Sequence, residues 1–234
     1  MRLITLLVWS ISTLFAAQPY NSNVLIQRGI DPQILNNTVT TARQNVAYKM
    51  AIEHTKKIGG NKGVGKYFII FDPYASYGVD MRVQIPRSEV DNIDKGDIRN
   101  GLDELMATQL YLQHGNLYDE NSLRIQEESS TTTIVTFDYD EEAMPREMKY
   151  FTNRTGSAYI VNGTLKKIVV TNKKRFDMRG VEVASLEKVI YFTKVELNGG
   201  YLVNRETLEI YGTKDGKPYV EKMSGKIVQY WNNT

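Results

Sequence analysis

Val46-Ala47-Tyr48-Lys49-Met50-Ala51-Ile52-Glu53-His54-Thr55 is the stretch on which the fold turns. In steps of two, Val46, Tyr48, Met50, Ile52 and His54 fall on one side and Ala47, Lys49, Ala51, Glu53 and Thr55 on the other, the period of a half-buried strand. Gly59-Gly60-Asn61-Lys62-Gly63-Val64-Gly65 then supplies a turn of residues that accept positive φ, and an apolar run resumes from Tyr67 to Phe71 before Asp72-Pro73. The two runs predict a hairpin. Val79, Met81, Val83 and Ile85 alternate again and predict a third strand leading to Pro86.

Working outward, the period then changes. Ile98, Leu102, Leu105, Met106, Gln109 and Leu110 recur at three and four residues in a proline-free stretch, which predicts a helix that starts near Asp97 and ends at Gln113-His114-Gly115-Asn116. Beyond it the chain returns to strands, expected over 122–128, 131–139, 147–152, 157–161, 165–172, 181–197, 201–211 and 219–230. Asn162-Gly163, Asn198-Gly199-Gly200 and Lys214-Asp215-Gly216-Lys217 are the residue types that tight hairpins require. So many antiparallel strands cannot stay flat, and an amphipathic helix is the simplest object to lay across their concave side. The expected fold class is mainly β (α+β): a curved antiparallel sheet forming a half-open β-barrel with a helical lid.

The 234 residues are 41% hydrophobic and 24% charged, enough to bury a sizeable core. A formal charge of +2, with no dense basic stretch, argues against nucleic acid as a partner. The absence of cysteine removes disulfides, thiol nucleophiles and thiolate metal sites, and two histidines supply little for metal or base chemistry. Fifteen tyrosines suit a β-rich binding protein better than a hydrolase. Met1-Arg2, an apolar run from Leu3 to Phe15 and the small pair Ala16-Ala17 have the order of a cleavable signal peptide. The run is shorter than the roughly 20 apolar residues a membrane span needs, so no stable membrane anchor is expected. The expected organisation is a signal peptide over 1–17, a polar lead-in over 18–40 and a single domain over 41–234.

Several motifs have plainer readings. Gly60 to Lys66 fits the GxxxxGK part of a phosphate-binding loop, but Tyr67 stands where the magnesium-holding Ser or Thr belongs and a strand pattern follows where a helix should begin. His54 and His114 have no partner at a ligand spacing. Asp138-Tyr139-Asp140-Glu141-Glu142 lacks the glycine and distal glutamate of a helix-loop-helix calcium site and reads as a solvated loop. Lys166-Lys167 and Lys173-Lys174-Arg175 suit an anionic headgroup, an acidic partner, or protection of a sheet from its neighbours. No cofactor, metal or catalytic residue is indicated, and no enzymatic activity is expected. The candidate ligand-binding residues are Tyr48, Met50, Ile52, Phe68, Ile70, Met81, Val83, Leu102, Leu105 and Met106, whose aromatic and thioether side chains suit either an adaptable apolar pocket or an ordinary core.

The order of parts resembles the superfamily of the periplasmic lipoprotein carrier LolA, the lipoprotein receptor LolB and the sigma-factor regulator RseB. The resemblance runs over roughly 43–231. It is carried by the second strand ending in Phe71-Asp72-Pro73, the single helical insertion, and the strand Thr133–Tyr139 ahead of Pro145. Thr155-Gly156-Ser157-Ala158-Tyr159-Ile160-Val161, Leu165-Lys166-Lys167-Ile168, Gly199-Gly200-Tyr201-Leu202 and the closing Tyr230-Trp231 continue it. No cysteine follows the signal-like segment, which departs from the membrane-anchored receptor, and the carrier's functional arginine has no assignable counterpart. The resemblance implies a hydrophobic concavity, lidded by helix, that takes up acyl chains. The expected function is thus a soluble periplasmic protein holding the acyl part of a lipid or acylated protein. The rival is an envelope regulator or assembly factor that binds a protein partner on the same fold.

Overall fold

The computed structural model describes residues 18–19, 22–32, 34–35, 46–72, 81–90, 96, 98, 118–127, 129–144, 146–194 and 200–232. Among them one antiparallel sheet carries twelve strands. In chain order these are β1 (Gln18–Pro19), β2 (Val46–Ile58), β3 (Asn61–Phe71), β4 (Met81–Gln84), β5 (Arg124–Glu127), β6 (Thr132–Asp138), β7 (Arg154–Val161), β8 (Thr164–Asn172), β9 (Phe176–Met178), β10 (Val181–Lys194), β11 (Tyr201–Lys214) and β12 (Lys217–Asn232). Their spatial order is β1-β5-β6-β7-β8-β10-β11-β12-β2-β3-β4, with β9 beside β10. Among the described residues the terminal strands β1 and β4 do not pair with each other, so the sheet is open.

Register decides which side chains are buried. Ile125, Val135, Ala158, Ile168, Ile190, Glu206, Gly225, Ile52 and Tyr67 oppose one another in turn across the sheet, and all nine are buried. Register shifts interrupt the ladder at Tyr159/Ile160, Val183/Ser185, Tyr191/Phe192 and Ile227/Gln229. Each such bulge adds local twist, and a sheet this wide with strands up to 16 residues long coils rather than lying flat. At the first shift of β10 a Cβ on Gly212 would lie 2.1 Å from the Glu182 carbonyl oxygen, so only glycine lets the bulged backbone approach.

The tight turns follow their sequence. Asn162 and Gly163 have φ of 49° and 71°, and Asp215 and Gly216 of 51° and 72°, the paired positive values that two-residue hairpins need. Two expectations are corrected. The hairpin turn expected over Gly59 to Gly65 is shorter: Gly59-Gly60 alone turns, and residues 61–66 continue as strand, with Lys66 opposite Glu53. Residues 147–152 are not a strand but part of a 3-10 helix, Arg146–Asn153. Met148 and Phe151 are both buried, and their three-residue spacing brings them to one side of a three-residue turn.

The lead-in also contributes to the core. Helix α1 (Ser22–Gln27) carries the fully buried Leu25, and Ile30, Ile34 and Leu35 join the same apolar cluster. Arg28 Nη1 donates to Thr133 Oγ1 at 3.1 Å, which ties this segment to β6. Of the expected helix, Gly96 and Ile98 are helical and Ile98 is buried, whereas Leu102, Leu105 and Met106 lie outside the described residues, as does the signal-like segment. Among the described residues no helix is long and apolar enough to cross a membrane.

The buried face is not wholly apolar. Lys188 and Glu206 are 0% exposed and meet at 3.2 Å, surrounded by strand residues. Arg154, equally buried, stacks 4.0 Å from the Phe151 ring and donates from Nη2 to Met178 Sδ at 3.4 Å. His54 Nε2 lies 2.8 Å from Glu221 Oε1, and the Tyr219 hydroxyl donates to the other oxygen of that carboxylate. Burial, then the Glu206 carboxylate and then Tyr230, push the Tyr48 phenol far above its ordinary value, while burial pushes Tyr230 up to about 12.

Two outcomes are expected. Lys188→Met strands the Glu206 charge and should cost about 3–5 kcal/mol in urea denaturation, whereas Lys188→Met with Glu206→Leu should return close to the parent stability or above it. A raised phenol pKa means that the folded chain keeps a proton which the unfolded chain releases near pH 10.0. Stability is therefore full below that pH and falls as pH climbs above it. The fall should be shallower in Tyr48→Phe, as read from urea midpoints between pH 9 and roughly pH 11, within the range bounded by these shifts.

Candidate functional site

The residue next to each buried position points outward, and these neighbours form a second row. Tyr159, Lys167, Tyr191, Arg205, Lys226, Ala51, Phe68 and Gln84 oppose one another in turn from β7 to β4. Directly opposed side chains on one face stand about 5 Å apart, so this row is a continuous strip of contacts. Its aromatic members are covered by cations: Lys167 Nζ lies 4.4 Å from the Tyr159 ring, the Arg205 guanidinium 4.2 Å from Tyr191, and Lys49 Nζ 4.1 Å from Phe68. Lys49 also donates to Gln84 Oε1 at 3.0 Å, which holds it over the ring.

At the β4 end this strip opens into a groove of about 500 Å3, lined by Ala51, Ile52, Glu53, Lys66, Tyr67, Phe68, Pro86, Ser88, Glu89, Arg205, Ser224, Gly225 and Lys226. Three causes make it. Pro86 fixes the exit from β4, and the 3-10 turn Arg87–Glu89 follows beside β3 and forms one wall. Ala51 and Ser224 are small where their neighbours are large, which lowers the floor. Ala51, Phe68 and Pro86 make that floor apolar, while Lys66, Arg205, Lys226, Glu53 and Glu89 surround it with charge. Lys66 and Glu53 are ion-paired at 3.5 Å and well exposed. The site is thus amphipathic, with an apolar bed and a charged rim.

The structure divides the candidate ligand-binding residues between faces. Tyr48, Met50 and Ile52 are buried together on the inner side with Ile69 and Phe71, and Val83 opposes Ile69. Phe68 and Ile70 alternate with those residues of β3 and are half-buried on the outward side. Met81 opposes Phe71 in the backbone register. Leu102, Leu105 and Met106 fall outside the described residues. Ile52 and Phe68 line the groove. Lys66, Lys226, Arg205 and Pro86 carry no sequence signal for it: they are scattered over the chain, and only strand pairing brings them together.

Among the described residues no three His, Asp or Glu side chains converge in a way that could hold a metal ion. The His54–Glu221–Tyr219 cluster is a buried hydrogen-bonded group between β2 and β12 on the inner face, away from the groove.

No family model matches the chain, and no curated protein matches it. Among solved structures, a DUF1329 family protein from Desulfovibrio piger ATCC 29098 aligns at 10% identity over 86% of this chain and 94% of its own, with a TM-score of 0.31. The MucA/MucB complex structure from Pseudomonas aeruginosa aligns at 9% identity over 86% of this chain and 98% of its own, with a TM-score of 0.21. At those scores neither likeness carries an argument about fold or function.

The geometry at the groove has a direct check. In a double-mutant cycle with Lys49→Met and Phe68→Leu, urea denaturation should return a coupling of about 0.5–1 kcal/mol for the cation over the ring.

Proposed function

We propose that this chain is a binding protein that holds an acyl chain against its sheet and does no chemistry on it. The observation that carries this reading is the groove with the apolar bed of Ala51, Phe68 and Pro86 on the outward face of an open sheet. Its volume of about 500 Å3 lies within the range of about 300–1,000 Å3 that suits small-molecule sites. Each methylene moved from water into such a bed contributes about 0.8 kcal/mol, so a chain of a dozen carbons binds usefully without a covalent or metal anchor. The resemblance of residues 43–231 to lipoprotein carriers supports the same class of ligand.

In its finer form the reading has the sheet curled into a half-open barrel. The helix expected from near Asp97 to Gln113-His114-Gly115-Asn116, which follows the groove wall Arg87–Glu89 in the chain, would serve as the lid that moves aside for exchange. The signal-like order of residues 1–17 supports a working place in the periplasm, with a lipid or an acylated protein as the partner that delivers or receives the chain.

Mass spectrometry of an organic extract of the purified protein should find an acyl-chain compound in about stoichiometric amount. Ala51→Glu, which sets a carboxylate in the bed on a face exposed to water, should abolish uptake of 1-dodecanol while the circular dichroism spectrum is unchanged. A protein that carries no acyl compound and takes up no dodecanol, yet retains one stoichiometric protein from an envelope extract, would instead be a protein-binding module.

A further inference from the structure

Arg205 and Lys226 are directly opposed on β11 and β12, with both side chains exposed on the outward face. Like charges in that relation repel across about 5 Å and destabilise the pair of strands. Neither cation forms an ion pair with a carboxylate among the described residues. The nearest acid in sequence, Glu206, is on the other face and bonded to Lys188. Of the two rim acids, Glu53 is bound to Lys66, and Glu89 stands on the separate wall formed by the 3-10 turn.

The Arg205 guanidinium lies 4.2 Å from the Tyr191 ring, and its N–H donors have the fork geometry that matches a phosphate or carboxylate. Lys226 is opposed on its other side by Ala51, and Ala51 by Phe68, so the charged pair runs straight into the apolar bed. From Lys167 to Gln84 that row contains three cations and no acid.

We propose that Arg205 and Lys226 bind the anionic headgroup of an amphiphile whose chain lies along Ala51 and Phe68. This rests on the groove taking an acyl chain, and it names the ligand class: a phosphate- or carboxylate-headed amphiphile rather than a neutral or cationic one. The anion relieves the repulsion between the two cations, so the pair is a site that costs stability when empty and returns it when filled.

The test titrates the full chain with dodecyl phosphate, 1-dodecanol and inorganic phosphate by calorimetry, in parent, Lys226→Gln and Arg205→Gln/Lys226→Gln proteins. Dodecyl phosphate should bind the parent at least about tenfold more tightly than dodecanol, in keeping with charge-assisted hydrogen bonds, and the advantage should shrink as salt rises. In the double variant the advantage should vanish, with the two amphiphiles binding alike. Lys226→Gln should melt at the parent temperature or above it, which a merely structural lysine would not do. Equal affinity for the two amphiphiles in the parent, or a preference that survives the double variant, would overturn the headgroup site and leave the chain-binding reading standing. Inorganic phosphate binding as tightly as dodecyl phosphate would make it a free-anion site and also overturn the proposal. Failure of both amphiphiles to bind would remove the two readings together.

Discussion

The pairing of β12 with β2 is the constraint on which the molecule depends. It joins residues 46–58 to residues 219–232, far apart in sequence, over a ladder broken by a single register shift. Both faces take their content from it. On the inner side it sets Gly225 against Ile52, where a Cβ would come within 3.0 Å of Met50, Ile52 and Glu206 side-chain atoms, and it brings Glu221 to His54. On the outward side it sets Lys226 against Ala51 and so joins the charged pair to the apolar bed. Contacts this distant in sequence carry a large loop-closure cost, which makes such a topology slow to fold.

The buried polar groups give the sheet a second level of specification. A slip of one residue between β10 and β11 would turn Glu206 outward and leave Lys188 in an apolar layer. If apolar replacements leave stability unchanged, as expected above, what the pair adds is the cost of the alternative register. Arg154 does the same at the β7 border, where aromatic faces and a thioether accept its charge in place of water. A coiled sheet with several bulges has many near-equivalent alignments, and these charges separate one from the rest.

Strand alternation and turn chemistry made most of the sheet legible. Val46 to Thr55, the Asn162-Gly163 turn and the Asp215-Gly216 turn read correctly because period two and paired positive φ are local properties. Residues 147–152 misled because alternating Met148 and Tyr150 mimic a strand, while the deciding spacing is Met148 to Phe151. The lead-in contained a usable signal in Leu25, Ile30 and Ile34, masked by polar neighbours. Alternation assigned Tyr48, Met50 and Ile52 to one side, but no local rule says that Phe68 and Ile70 belong to the other, since that follows from the exact partner of each residue across β2 and β3. For the same reason the groove was illegible: its rim is gathered from five separate segments.

The borders of the sheet have a consequence of their own. An unclosed sheet this wide presents two rows of unsatisfied backbone groups, which ordinarily recruit further chains and seed fibrils. Here the outermost strands are stubs, two residues in β1 and four in β4, and Pro86 follows almost at once after β4. β4 pairs only with Phe68–Phe71, so the first half of β3 is also a border among the described residues, and there the exposed Lys62 and Lys66 oppose the addition of another copy. The molecule can therefore leave its β-surface open to a guest while charge along its borders discourages its own polymerisation.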